Sequence, residues 1–100
     1  MKLRLWAQDD KHWQRNVVDV QGGILTVSQF TLYGTTEKGA KPDFHAAMKT
    51  EEARRMFDCI VEMLRTAYPQ GRIETGAFGQ LMAVDLVNDG PVTLVLDSKQ

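Results

Sequence analysis

Two short segments carry polar or conformationally special residues where the surrounding pattern predicts buried strands. In the first, Ser28, Gln29 and Thr31 interrupt an apolar run that begins at Ile24. A buried hydroxyl or amide without a hydrogen-bond partner costs about 1–3 kcal/mol. These side chains therefore either satisfy one another or line a site for a polar ligand, and the pattern alone leaves both interpretations open.

The second segment is the Gly90–Pro91 step, which lies in a dense turn signal between two apolar runs. Most such steps are simple turns. X–Pro bonds are, however, the main place where cis peptides occur, and glycine puts no side chain in the way of an approaching ligand. A cis bond here would present successive main-chain carbonyls as rigid acceptors, which can distinguish stereochemistry without reading the identity of a side chain.

The motifs of several common enzyme classes are absent from the sequence. It contains no P-loop, no dinucleotide-binding glycine loop, no zinc-protease helix motif and no serine-hydrolase elbow. His12 and His45 lie in polar segments without metal-ligand spacing, and we interpret both as surface residues. Nothing in the spacing supports a triad with Ser28. Cys59 is the only cysteine, which excludes an internal disulfide and a multi-cysteine zinc site. We expect neither a metal nor a cofactor.

The composition is typical of one globular domain spanning residues 1–100. Hydrophobic residues make up 43% and charged residues 25%, and the net charge is −1, a balance that argues against disorder. Without a global basic field, any RNA contact must be local, for example at Lys38, Lys41 and Arg72. No apolar run approaches the ~18 residues of a membrane helix. We expect a soluble, cytoplasmic protein that makes no membrane contact.

The clearest predicted element is an amphipathic helix with Thr50 as its N-cap and with Pro69 and Gly71 ending it. Its apolar residues recur at spacings of three and four. We interpret this stripe as core rather than as a partner-binding face. It consists of Ala53, Met56, Phe57, Ile60, Val61, Leu64, Ala67 and Tyr68.

The strands are predicted on both sides of this helix. We expect a short strand at 3–6, a buried central strand at 24–33, a second buried strand at 81–87 and a last strand at 92–96. One helix packed on a mostly antiparallel or mixed sheet is an α+β fold. Because these strands are few for a self-sufficient sheet, we expect that a partner chain supplies others or that part of the natural protein is missing.

Four segments, in matching order and spacing, resemble motifs of the D-aminoacyl-tRNA deacylase family. Residues 28–32 (SQFTL) resemble the family's S-Q-F-T-L motif, and residues 88–93 (NDGPVT) resemble its N-x-G-P-x-T motif. Residues 38–44 resemble its basic loop, and residues 75–78 with Met82 resemble the segment that leads into its penultimate strand. Family members usually carry a further N-terminal segment, so the resemblance implies roughly the C-terminal two thirds of a family domain.

The resemblance implies a homodimeric hydrolase that cleaves the ester bond of D-aminoacyl-tRNA, and of glycyl-tRNA in addition, as a chiral proofreading step of translation. Its partner would be the 3′-terminal adenosine and aminoacyl group of the tRNA. Gly90 and Pro91 of one subunit would be cis-linked and reach into the active site of the other. Their carbonyls would hold the aminoacyl group so that an L side chain clashes.

The same resemblance assigns roles to the polar segment at residues 28–31. Ser28 and Gln29 would lie near the scissile ester, and main-chain N–H groups around Gln29 and Phe30 would stabilise the oxyanion. Thr31 would act as nucleophile or would position water, although a nucleophile normally needs a nearby base. Assistance by the 2′-OH of the terminal ribose would remove that need.

Three more residues complete the implied substrate-binding set. Asn88 belongs to the Gly-Pro motif, and Phe78 and Met82 would form the pocket wall or face the adenosine. A core role for Phe78 and Met82 is equally consistent with the sequence.

Two other functions stay open from the sequence. A related deacylase with a trans Gly90–Pro91 bond would remove a small L-amino acid, although Ser28 and Phe30 argue against it. A truncated, catalytically silent module would bind tRNA or dimerise without turnover.

Overall fold

The computed structural model describes residues 1–99 and confirms an α+β fold with one long helix. In this part of the chain an antiparallel hairpin precedes a pair of parallel strands that packs with the helix. The bounds are β1 Trp6–Gln8, β2 Lys11–Arg15, β3 Ile24–Thr26, a 3₁₀ turn Phe30–Tyr33, α1 Thr50–Ala67 and β4 Ile73–Thr75. No helix within residues 1–99 is long and apolar enough to cross a bilayer.

The helix α1 begins close to the predicted position, but its N-cap is Lys49 rather than Thr50. Lys49 has extended dihedrals and no side-chain capping bond, and its carbonyl accepts the N–H of Ala53 at 2.9 Å. The first turn carries Glu51 and Glu52, whose negative charges suit the positive end of the helix dipole. These carboxylates therefore do electrostatically what a capping side chain does by hydrogen bonding.

Only one edge of the apolar stripe on α1 is core. Val61 is buried, and the side chains one turn before and after it are half-buried, whereas Met56 and Ile60 are about half exposed. The prediction that the whole stripe is core is therefore wrong for its second edge. The reason is that the sheet under the helix has only two short strands, which cover a narrow strip of the helix surface.

The parallel pair is locked to the end of the helix. Ile24 lies opposite Ile73, and the N–H of Ile24 donates to the carbonyl of Arg72 at 2.8 Å. Tyr68, at the C-cap of α1, is buried and donates its hydroxyl to the carbonyl of Gly22 at 2.9 Å. Val61, Tyr68 and Ile73 thus form the buried centre that fixes the start of β3 against α1 and β4.

The hairpin turns at Asp9 and Asp10, two adjacent aspartates of the type that favours a turn. Both residues have positive φ, 49° and 69°, which is the pattern of the two-residue hairpin turn that matches strand twist. The predicted strand at 3–6 is displaced to Trp6–Gln8. Strand β2 was not predicted, because its sequence KHWQR has no apolar alternation.

The other three strand predictions are wrong in extent or in kind. Strand β3 ends at Thr26, and the chain turns into the 3₁₀ segment instead of continuing to residue 33. Residues 81–87 and 92–96 form no strand and are exposed. A strand exists only where a neighbour supplies N–H and C=O groups to its ladder, and within residues 1–99 no segment pairs with these two apolar runs.

The Tyr68 hydroxyl should contribute measurably to stability. Replacing Tyr68 by Phe removes the bond to Gly22 and leaves that half-buried carbonyl without its donor, so we expect a loss of about 1 kcal/mol in the free energy of unfolding. Urea denaturation followed by circular dichroism measures it. The matched control is Tyr33→Phe at an exposed tyrosine, which should change stability by less than about 0.5 kcal/mol. Equal effects of the two substitutions would contradict the assigned role of Tyr68.

Candidate active site

The parallel pairing of β3 and β4 brings two of the predicted segments to one end of the sheet. Parallel strands have their carboxyl ends at the same edge, and ligands of such sheets commonly bind there. Residues 28–31, the polar turn, follow shortly after the end of β3. The residues after β4 lead to Phe78. The N–H of Gly76 donates to the carbonyl of Thr26 at 2.9 Å, which holds the two exits together.

Met82 also reaches this edge. A β-carbon at Gly76 would lie 3.2 Å from Met82 Cε and 3.4 Å from Val27 Cγ2. The Met82 thioether therefore lies over Gly76 beside the residue that precedes Ser28. A β-carbon at Gly76 would require the Met82 side chain to shift by a few tenths of an ångström. The structure thus brings Met82 close to the polar turn, as a wall of the site would be.

The polar turn itself is ordered by its own side chains. The amide of Gln29 donates to the hydroxyl of Thr31 at 2.6 Å, and the N–H of Gly34 donates to the carbonyl of Thr31 at 2.9 Å. Ser28 is half-buried, whereas Gln29, Phe30 and Thr31 are exposed. The two interpretations left open by the sequence therefore coexist, because the polar groups pair with one another and also face solvent.

The turn offers hydrogen-bond donors but no base. Among the hydrogen bonds of residues 1–99, none uses the main-chain N–H of Gln29 or Phe30, and none joins Ser28 or Thr31 to a carboxylate or imidazole. Activation of a hydroxyl as a nucleophile normally requires such a base. The arrangement suits stabilisation of a developing negative charge better than covalent attack.

A basic loop borders the turn and is closed at its base. Thr35 and Asp43 exchange two main-chain hydrogen bonds of 2.8 Å, which pin the ends of residues 35–43 together. The Asp43 carboxylate accepts the N–H of His45 at 2.8 Å, contacts the His45 imidazole at 2.9 Å and faces the Lys38 ammonium at 3.6 Å. The His45 N–H, its imidazole and Lys38 lower the pKa of the Asp43 carboxyl. His45 is exposed, as predicted.

The Gly90–Pro91 step lies in an exposed part of the chain. Its peptide bond is cis, and Gly90 has φ +132°. Asn88, Gly90 and Pro91 are exposed, and no hydrogen bond found in residues 1–99 joins them to the polar turn. The structure therefore brings the turn and Met82 together, whereas it shows the Gly-Pro motif only as an exposed segment.

Phe78 packs on the helix instead of on the turn. Its ring centroid is 5.7 Å from that of Phe57, and the guanidinium carbon of Arg54 lies 4.7 Å above the ring. These contacts account for the half-buried state of Phe78 as part of the helix–sheet packing. In the described part of the chain, no group of three His, Cys, Asp or Glu side chains is placed to hold a metal ion.

The sequence places Asp43 and Phe44 in the basic loop but assigns no role to either residue, although Asp43 closes the loop and Phe44 joins it to the turn. The local signal for Asp43 was available, since an Asp commonly accepts the N–H two residues later. Phe44 contacts Phe30 across the loop, and no periodicity in the sequence predicts this contact.

Comparison with known proteins identifies the family. Residues 1–97 match the family described as D-Tyr-tRNA(Tyr) deacylase, and the chain belongs to that family. It is 44% identical over 100 residues to the D-aminoacyl-tRNA deacylase of Candida glabrata and 45% identical over 98 residues to that of Plasmodium falciparum. These matches cover 100% and 98% of this chain, but 67% and 60% of the two relatives.

A solved structure has the same fold. It is described as c-Myc DNA Unwinding Element Binding Protein, and it superposes with a TM-score of 0.84 at 46% sequence identity. The match covers 96% of this chain and 64% of the other. The chain therefore spans about two thirds of the length of the proteins that it resembles.

Proposed function

We propose that the protein is a hydrolase that cleaves the ester bond between a D-amino acid and the terminal ribose of a tRNA. The observation that carries this proposal is the polar turn at residues 28–31, which has no side-chain base. The turn lies at the edge of the parallel strand pair, in a chain that belongs to the deacylase family. The curated relatives named above are called D-aminoacyl-tRNA deacylases. Hydrolysis of glycyl-tRNA and a role in chiral proofreading belong to the same proposal.

The chemistry follows from the donors that the turn presents. The ester carbonyl would lie against the main-chain N–H groups of Gln29 and Phe30, which stabilise the negative charge that develops on its oxygen. Water attacks the carbonyl carbon, the bond to the ribose oxygen breaks, and that oxygen takes up a proton. Because no side-chain base contacts Thr31, its hydroxyl orients the water or the substrate, and the neighbouring 2′-OH of the ribose assists the proton transfer.

Chirality would be read by the main chain of Gly90 and Pro91. Their carbonyls would hold the aminoacyl group in a fixed orientation in which an L side chain meets the wall of the site, whereas a D side chain or the hydrogen of glycine fits. The exposure of this motif, and its lack of hydrogen bonds to the turn of its own chain, supports a homodimer in which each subunit supplies its Gly-Pro motif to the other.

The substrate would be recognised at its end rather than along its body. The net charge of −1 provides no field for general RNA binding, so contacts would be limited to the terminal adenosine and the adjacent phosphates. Met82, whose side chain lies beside Gly76, would contact the adenosine side of the substrate. Such an enzyme would act in the cytoplasm, where charged tRNA is used.

The direct test is hydrolysis of D-Tyr-tRNA and L-Tyr-tRNA by the purified protein at equal substrate concentration. We expect kcat/KM for the D substrate to exceed that for the L substrate by at least about ten-fold, which corresponds to about 1.4 kcal/mol. Glycyl-tRNA, assayed in parallel, tests the finer claim. Equal rates for the two enantiomers would contradict a D-specific deacylase. Retention of tRNA without turnover would instead identify a silent binding module.

Replacing Gly90 by Ala should damage this activity. The Gly90 φ of +132° is rarely adopted by residues with side chains, and the added methyl would lie 3.1 Å from the Val92 nitrogen. We expect kcat/KM for D-Tyr-tRNA to fall at least about ten-fold. The matched control is Gly39→Ala, because Gly39 has a similar φ of +141° and nothing within 4 Å of the new methyl. Equal activity of the two variants would contradict a role for Gly90 in the site.

A further inference from the structure

The ring of Phe44 touches the polar turn at two places. It packs edge-to-face against Phe30, with ring centroids 5.0 Å apart. A β-carbon at Gly34 would lie only 2.7 Å from Phe44 Cε1, so the ring lies directly on the main chain of Gly34. Gly34 is the residue whose N–H holds the carbonyl of Thr31. Phe44 thus contacts residues on both sides of Thr31.

The chain on both sides of Phe44 is itself fixed. Asp43 is bound to Thr35 through two main-chain hydrogen bonds, and its carboxylate accepts the N–H of His45. Phe44 is therefore carried on a short anchored segment at the closed base of the basic loop. Its ring cannot leave the turn without disturbing these bonds or changing its own rotamer.

The contact lies outside the buried centre of the protein. Phe44 is 37% exposed and Phe30 is 60% exposed, whereas the buried centre consists of Val61, Tyr68 and Ile73. A 3₁₀ turn of four residues has poor hydrogen-bond geometry of its own. The turn therefore depends on an external support, and Phe44 supplies one.

We propose that Phe44 is a positioning residue for the deacylation site, whose ring holds the turn so that the main-chain N–H groups of Gln29 and Phe30, together with the Thr31 hydroxyl, keep their orientation. This inference rests on the proposed function. Phe44 does not touch the reacting atoms, and it acts through Phe30 and Gly34. Because small misplacements of a reacting group reduce rates strongly, loss of the ring should lower the rate of the chemical step more than it weakens substrate binding.

The test is Phe44→Leu, which keeps an apolar side chain but removes the aromatic edge. We expect kcat for D-Tyr-tRNA to fall about ten-fold or more while KM changes by less than about two-fold. The thermal midpoint should stay close to that of the unchanged protein. Phe44→Tyr retains the ring and should restore kcat. The control is Trp13→Leu at an exposed position of strand β2, which should leave kcat unchanged. A kcat of Phe44→Leu within about two-fold of the unchanged protein would overturn the proposal.

A second variant approaches the contact from the other side. Gly34 has an ordinary φ of −66°, so Gly34→Ala introduces no backbone strain and only pushes the methyl against the Phe44 ring and the Thr31 carbonyl. We expect the same selective loss of kcat, and less than additive losses when Gly34→Ala and Phe44→Leu are combined. Fully additive losses would show that the two residues act independently and would contradict the positioning role.

A readout that needs no activity separates this inference from the proposed function. The side-chain amide protons of Gln29 report on its bond to Thr31 and are observable by NMR. They should shift in Phe44→Leu and stay in place in Trp13→Leu. If the unchanged protein hydrolyses neither enantiomer, the proposed function fails while this shift still tests the support of the turn. Unshifted Gln29 resonances in Phe44→Leu would overturn the inference.

Discussion

The pairing of β3 with β4, closed by the Tyr68 hydroxyl on Gly22, is the constraint on which the rest of the structure depends. It joins segments nearly fifty residues apart and places their exits at one edge. The pair is short, so its stability comes from the burial of Val61, Tyr68 and Ile73 rather than from the ladder itself. Without that contact, the polar turn would have no fixed position relative to Met82.

The site that follows from this frame is built mainly from main-chain groups. The turn presents N–H donors and one oriented hydroxyl, and the Gly90–Pro91 motif presents carbonyls. Residues 28–31 carry no titratable side chain, and Asp89 is the only one in residues 88–93. The lowered pKa of the Asp43 carboxyl reflects a structural contact in the basic loop. A reaction that needs charge stabilisation and orientation suits such a site, because the ester of an aminoacyl-tRNA needs no strong nucleophile to be hydrolysed.

The features that sequence predicted correctly are those that local chemistry determines. The helix follows from the spacing of its apolar residues, the Asp9–Asp10 turn from residue type, and membership of the family from four motifs in matching order. The strands at 81–87 and 92–96 could not be judged from sequence, because alternation shows that a segment can pair and not whether a partner is present. The role of Phe44 could not be predicted for a related reason. Its contacts with Phe30 and Gly34 depend on the path of the loop between them, which the sequence does not specify.

In the proposed mechanism, positioned main-chain donors stabilise the developing negative charge, and no side-chain nucleophile takes part in the hydrolysis. The most direct measurement is the single-turnover rate of Thr31→Ala on D-Tyr-tRNA, with substrate bound at saturation. We expect a reduction of no more than about ten-fold, because only an orienting hydroxyl is lost. A loss of about a thousand-fold or more, as expected when a covalent nucleophile is removed, would contradict it.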